Sequence, residues 1–232
     1  YTKLVGGIST ATPPDFTVTL TGYQVIKFNI DDKAYESASV SYNSLPIMRY
    51  AEVLLNYAEA KAELGEFSDD IWNKTIKPLR ERAGVDGKRP TSADPYLQQY
   101  YGLSDSDLLE IRRERAIELL LEGFRYDDLM RWHAGELLNK QWYGIYIPAM
   151  DTSYDLNGDG INDVCVTSGE AGNEPGVTYI ILDNSKYSLE NGTTGRLLYT
   201  VGRNFEEKRY LRPIPKTALN INPDLGQNYY WR

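Results

Sequence analysis

Apolar residues recur at helical spacing through the first half of the chain, beginning with Ile47, Ala51, Leu54, Leu55, Ala58 and Ala62. Steps of three and four residues put them on one face of a helix predicted over residues 46–64, with Pro46 in its first turn and Glu52, Asn56, Glu59 and Glu63 on the other face. Gly65 suits the left-handed turn that ends a helix, and Ser68 suits the cap of the next, whose first turn holds Asp69 and Asp70. That second helix turns Ile71, Trp72, Ile76, Leu79 and Ala83 inward and ends at Gly84, with a kink expected at Pro78. A loop over residues 86–101, broken by Gly87, Pro90 and Pro95, precedes a long helix over 105–122 and, after Gly123, a shorter one over 125–134. The long helix starts at Ser104-Asp105-Ser106-Asp107 and faces Leu108, Ile111, Arg115 and Leu119 inward.

The rest of the chain lacks this period. Residues 1–45 read as an extended lead-in with at most a strand or hairpin, from short β-type runs at 16–20 and 23–28. From 138 to 204 Gly, Asn, Asp, Thr and Tyr dominate, with β-type runs at 179–182 and 196–200. A stretch of that length with little structure of its own is usually functional or inserted. Residues 209–232 read as ordered coil. The expected fold is mainly α: helical hairpins with long irregular loops and a few short strands. One hairpin cannot bury its apolar stripe alone, so stacked neighbours are required.

Composition then narrows function. A chain of 232 residues, 41% hydrophobic, can bury a core in one large domain or two small ones. Its 33 acidic against 25 basic residues leave a net charge of −8, which repels a phosphate backbone and speaks against nucleic acid. No apolar run approaches the roughly 18 residues of a membrane span. The opening Tyr1-Thr2-Lys3 has neither an initiator Met nor a signal sequence, so the chain reads as starting mid-protein or after processing. Cys165 stands alone and His133 is the sole histidine, which leaves no internal disulfide and no histidine metal cluster.

Three constellations carry candidate chemistry. Glu114, Glu118 and Glu122 recur every fourth residue, and like charges at that spacing repel unless cations intervene. Arg115, Arg125 and Arg131 are the expected partners, holding the acids ionised in structural ion pairs instead of freeing a carboxylate pair for glycoside hydrolysis. Asp155, Asn157, Asp159, Gly160, the Ile161 carbonyl and Asp163 reproduce positions 1, 3, 5, 6, 7 and 9 of a calcium loop. Val166 stands at position 12, so a structural Ca2+ there needs a further acid from elsewhere; the alternative is a polar turn closed by Asx-type bonds. Finally, 19 Tyr against 5 Phe favour wet surfaces, and Tyr96, Tyr100, Tyr101, Trp142, Tyr143 and Tyr146 lie in loop-like sequence where a sugar's C–H face could pack on a ring. Core packing is the competing role for each.

The run Glu114-Arg115 to Trp132, with Glu118-Leu119, Glu122-Gly123, Arg125, Asp128-Leu129 and Arg131, resembles the signature helix of the SusD/RagB family. Met48 to Ala60 resembles that family's "RxAEvLLxxAEA" helix, Leu79 to Val85 its "xRxRAG" end, and Leu211-Arg212-Pro213-Ile214-Pro215 with Asn222-Pro223, Leu225 and Gln227-Asn228 its closing segment, although Ala218 stands where the family often has Glu. The resemblance covers about residues 46–132 and 209–231, with a weaker match at 22–28. It implies the C-terminal portion of a SusD-like domain over 1–232: a helical core of TPR-like hairpins at about 46–134, a loop-rich insertion at about 138–204 and an ordered tail at 209–232. It also implies a non-enzymatic outer-membrane lipoprotein that captures a nutrient, often an oligosaccharide, for a TonB-dependent SusC-type transporter. The lipid anchor would sit on an N-terminal Cys absent from this chain. Ligand contacts vary among family members, so the resemblance carries over no ligand residues. A TPR-like protein-binding scaffold and a glycoside hydrolase are the alternatives.

Overall fold

The predicted run of helices forms, with ends set by caps instead of by the apolar pattern. The computed structural model describes residues 2–5, 8–11, 19, 25, 27–28, 33–35, 39–183 and 186–231, and the chain divides into two units: Pro46–Asn139 with Asn204–Arg232, and Tyr1–Leu45 with Lys140–Arg203.

In the helical unit, α1 (Tyr50–Glu63) begins four residues later than the period suggested. Arg49 holds extended backbone (φ −128°, ψ 151°) and sends its guanidinium to Glu118 and Glu122, so Ile47 lies outside the helix and is fully exposed. Helix α2 (Asp69–Lys74) is capped by Ser68, whose hydroxyl oxygen accepts from the Ile71 amide. The chain breaks at Thr75 and resumes as α3 (Ile76–Arg82). The break therefore precedes Pro78 by three residues. Pro78 occupies the first turn of the new helix, where its missing N–H is no loss. Ala83 is exposed, and Arg80 takes a buried place instead.

The expected loop over 86–101 contains a helix, α4 (Pro95–Tyr101). Pro95 starts it instead of breaking it, because the Asp94 carboxylate accepts from the Tyr96 and Leu97 amides and Gly102, at φ +64°, closes the far end. Helix α5 (Ser106–Glu118) is capped by Asp105 and ends four residues short of expectation, turning through Leu121 (φ +63°) and Gly123 (φ +87°) into α6 (Phe124–Arg131). Leu55 and Ala58 of α1, Trp72 of α2, Ile76 of α3 and Ile111 of α5 form the core of this unit. No helix among the described residues is long and apolar enough to cross a membrane.

The tail is more regular than coil. It contains α7 (Lys216–Ile221) between 3-10 turns at Glu207–Tyr210 and Pro223–Leu225, and the Gln227 amide both accepts from and donates to the Ile214 backbone. Phe205 packs against Gly135 so closely that a Cβ would overlap its ring. Gly135→Ala is expected to cost about 1–3 kcal/mol through overpacking, read as a lower urea midpoint at unchanged m.

The other unit holds a hairpin of β1 (Thr2–Val5) and β2 (Ile8–Ala11); the β-type runs expected at 16–20 and 23–28 lie largely outside the described residues. Residues 138–204, expected to have little structure of their own, instead carry β3 (Tyr143–Ile147), β4 (Ser153–Tyr154), β5 (Val164–Thr167), β6 (Thr178–Ile181), β7 (Tyr187–Leu189) and β8 (Gly195–Tyr199). They form two sheets, antiparallel β3-β8-β7 and mixed β4-β5-β6, with β5 and β6 parallel. Ile147, Val164, Val166, Ile180, Leu189 and Leu197 from both sheets share one core. Strands β6 and β8 coincide with the β-type runs expected at 179–182 and 196–200; the other four hide in the sequence because each has five residues or fewer, and β5 is buried at every position and so shows no alternation.

Candidate functional site

The acids of the helical unit are tied to arginines, but not to the expected ones. Glu118 and Glu122 both accept from Arg49, at 2.7 and 2.6 Å, and Glu118 also pairs with Arg82. Glu114 accepts from Arg80 at 2.8 Å, and Glu110 from Arg80 at 2.6 Å and from Arg113. Arg115 forks onto Asp128 with both bonds at 3.0 Å and donates to Asn56 at 2.6 Å. Arg131 serves Glu59 and Asp128, and Trp132 adds an indole N–H to Glu59. Arg125 donates to the Tyr101 hydroxyl at 3.1 Å.

The expected pairing of Glu114, Glu118 and Glu122 with Arg115, Arg125 and Arg131 is thus corrected. Neighbours in sequence do not face each other on a helix, so Arg115 points away from Glu114 and reaches α6. Glu122 lies beyond the end of α5, where one arginine clamps it with Glu118. The bond to Glu122 holds Arg49 above its ordinary pKa against the lowering effect of burial, and Glu118 adds to the rise. Every carboxylate named in this lattice has an arginine partner. A polar cleft of about 840 Å3 in the same unit, bordered by Lys77, Glu81, Asp86 and Lys88 and crossed by the Arg89–Asp107 pair, presents Trp72 only as a buried ring.

The six candidate aromatics divide between the units. On α4, Tyr96 and Tyr100 stack at 5.9 Å, Tyr100 meets Tyr101 edge-on at 4.9 Å, and Tyr101 meets Trp132 at 6.1 Å. Tyr96 is exposed, whereas Tyr100 and Tyr101 are half-buried. On β3, Ile145 and Ile147 enter the core and Tyr146 faces solvent. Plain alternation would send Tyr143 inward with Ile145. A register shift against β8 between Tyr143 and Tyr146 breaks the alternation, and both tyrosines are exposed. Tyr146 lies opposite Arg196, whose guanidinium sits 3.7 Å from the Tyr143 ring centroid and is fixed by a fork onto Glu190. Just before the strand, Trp142 lies beneath the Arg203 guanidinium. Trp142, Tyr143 and Tyr146 are 60%, 43% and 64% exposed, and a guanidinium lies over each of the first two rings.

The loop expected to hold calcium is closed by its own hydrogen bonds. Asp155 accepts from the Asn157, Gly158 and Gly160 amides, and the Gly160 and Gly158 bonds hold its carboxyl below the usual range. The Asn157 side-chain NH2 donates to Asp159, and Asp159 accepts from the Ile161 backbone amide. Asp163 is buried and turned to the Leu156 amide. Glu174, bonded to Asn162 and Ser153, is the acid beside the loop. The donors suit a hard cation in type, but among the described residues no three acidic side chains converge.

A model of the SusD family matches residues 2–231, the helical lattice and the sheets alike. This chain belongs to the SusD family. "SusD-like protein P38" of Formosa agariphila is 33% identical over 97 residues, 41% of this chain and 18% of that protein. The crystal structure of a SusD-like protein from Bacteroides fragilis NCTC 9343 matches with a TM-score of 0.53 at 24% identity, over 91% of this chain and 31% of that one. The chain spans less than a third of the length of either relative. The structural likeness establishes the SusD-like fold, mainly helical with a few short strands.

Within this SusD chain the sequence reading missed Arg49, Arg80 and Arg82 as partners and Glu59 as a buried acid. For Glu59 a signal existed. It stands four residues after Leu55 and three before Ala62, the spacing of the buried stripe. For the arginines none did, because their partners lie 30 to 73 residues away.

Proposed function

We propose that the chain is part of a cell-surface nutrient-binding protein that holds an oligosaccharide on the outer face of the β3-β8-β7 sheet and delivers it, unaltered, to a TonB-dependent SusC-type transporter. The observation that carries this reading is the exposure of the Trp142, Tyr143 and Tyr146 rings, with Arg203 over Trp142, Arg196 over Tyr143 and Tyr146 opposite Arg196 in the sheet. Ring faces pack against the apolar C–H face of a sugar, and fixed guanidinium N–H groups donate to its oxygens. The arginine-bound acids of the helical unit support binding over hydrolysis, which needs one carboxyl kept protonated. Attachment to the outer membrane by a lipid belongs to the same proposal and rests on family membership.

A glycan array followed by analysis of the recovered saccharide tests this. Retention of a glycan with its length unchanged is the expected result. Retention of peptides alone would replace it with the scaffold reading, and shortened products would replace it with a hydrolase.

Calcium at the 155–163 loop is a separate proposal and rests on the spacing of Asp155, Asn157 and Asp159, with the Ile161 carbonyl and Asp163 as further oxygens. The thermal midpoint is expected to rise in millimolar CaCl2 and to return with EDTA, and Asp159→Ala should remove the rise. Identical melting in CaCl2 and EDTA would reduce the loop to an Asx-closed turn.

A further inference from the structure

Around Trp132 in the helical unit, arginines outnumber the carboxylates that serve them. Arg115 and Arg131 share Glu59 and Asp128. Arg112 and Arg125 have no carboxylate partner among the described residues. Arg112 is 9% exposed, its Nε is buried without a hydrogen-bond partner, and its guanidinium lies 4.7 Å from the Trp132 ring centroid and 5.6 Å from that of Tyr101. Arg125 faces the same two rings at 5.9 and 5.8 Å, donates one Nη to the Tyr101 hydroxyl and leaves the other buried and unpartnered.

Stacking on a ring stabilises the face of a guanidinium but leaves its in-plane N–H groups unsatisfied. Each such group costs free energy when buried. Burial accordingly lowers the pKa of Arg112, against the opposing pull of Glu59 and Glu63. What satisfies a guanidinium edge is an acceptor in its plane carrying negative charge, and carboxylate and sulfate have that geometry.

We propose that Arg112 and Arg125 form a binding site for an oxyanion, a carboxylate or sulfate group, held by their guanidinium edges against a wall of Trp132 and Tyr101. The site lies in the helical unit and does not depend on the sheet-face reading. An acidic sugar and a bare inorganic ion would present the same chemistry, so both are probed.

The test follows the arginine Nε–H resonances of the intact chain by NMR during titration with sodium sulfate, sodium galacturonate and neutral galactose, at ionic strength held constant with NaCl. Saturable shifts of the Arg112 and Arg125 resonances in the millimolar range are expected with sulfate, galacturonate or both, and none with galactose. A rise in thermal midpoint should accompany them and vanish in Arg112→Gln and in Arg125→Gln. The second variant, at a half-exposed position, keeps the test open if the first does not fold. A response to galacturonate but not sulfate would assign the site to acidic saccharides, and the converse to inorganic ions. Resonances that fail to move with either anion, or a midpoint rise that persists in Arg125→Gln, would overturn the proposal.

Discussion

Replacing Arg80 with Met is expected to lower the stability of the chain by about 3–5 kcal/mol, the usual cost of removing one partner of a buried ion pair. The side chains of Arg80, Glu110 and Glu114 are 8%, 3% and 10% exposed, so the two carboxylates cannot turn to water when the guanidinium is gone. Glu110 keeps Arg113, but Glu114 loses its arginine. Methionine preserves the packing against Trp72 while losing the cation that sits 5.0 Å from its ring. Domains of this kind are stable by only about 5–15 kcal/mol, so the change removes a large share of the total. The urea midpoint should fall sharply at constant m.

Two further variants make the result diagnostic. Arg80→Met with Glu114→Met should regain much of the loss, because an apolar pair of similar volume often replaces a buried ion pair without penalty. Arg82→Ala, at a side chain 57% exposed, should cost no more than about 1 kcal/mol. Equal midpoints for Arg80→Met and the parent chain would refute the view that this lattice holds α3 to α5.

The second large effect concerns binding without stability. Trp142→Ala and Tyr146→Ala are each expected to weaken glycan affinity about tenfold, since one ring contact is worth about 0.5–1.5 kcal/mol beyond its buried area and 1.4 kcal/mol is a factor of ten. Both side chains are mostly exposed, so the thermal midpoint should stay where it is. Tyr96→Ala is the contrast: that ring is also exposed, but it sits on α4 beside Tyr100 and should leave affinity for the same glycan unchanged. Isothermal titration with a glycan retained on the array measures all three. Parent-like affinity in both Trp142→Ala and Tyr146→Ala, with Tyr96→Ala impaired, would move the binding site to the helical unit.

How much of this was legible in advance follows from the range of each interaction. The helices α1, α3, α5 and α6 were visible because a buried stripe repeats every three to four residues, and a cap such as Ser68 or Asp105 acts within three residues of itself. Pro95 was misread because proline breaks a helix from inside but suits its first turn, and only the Asp94 cap decides which applies. At Glu59 charge and position conflict: a carboxylate suits the polar face, but the residue occupies the buried stripe. The exposed rings of β3 were found by residue type, but the register shift that displays Tyr143 depends on pairing with β8, some fifty residues further on.

By itself, then, the sequence determined the helical class, most helix positions, the SusD-type motifs, and that the acids of α5 meet arginines. The tertiary structure alone decided which arginine meets which acid, that residues 138–204 build two sheets around one core, and that Arg112 and Arg125 are left without carboxylates among the described residues. Caps and periodic stripes are settled between residues a turn or two apart. Ion-pair partners, strand register and unmet hydrogen bonds are settled by which distant segments come to lie side by side, and that is decided only when the core packs.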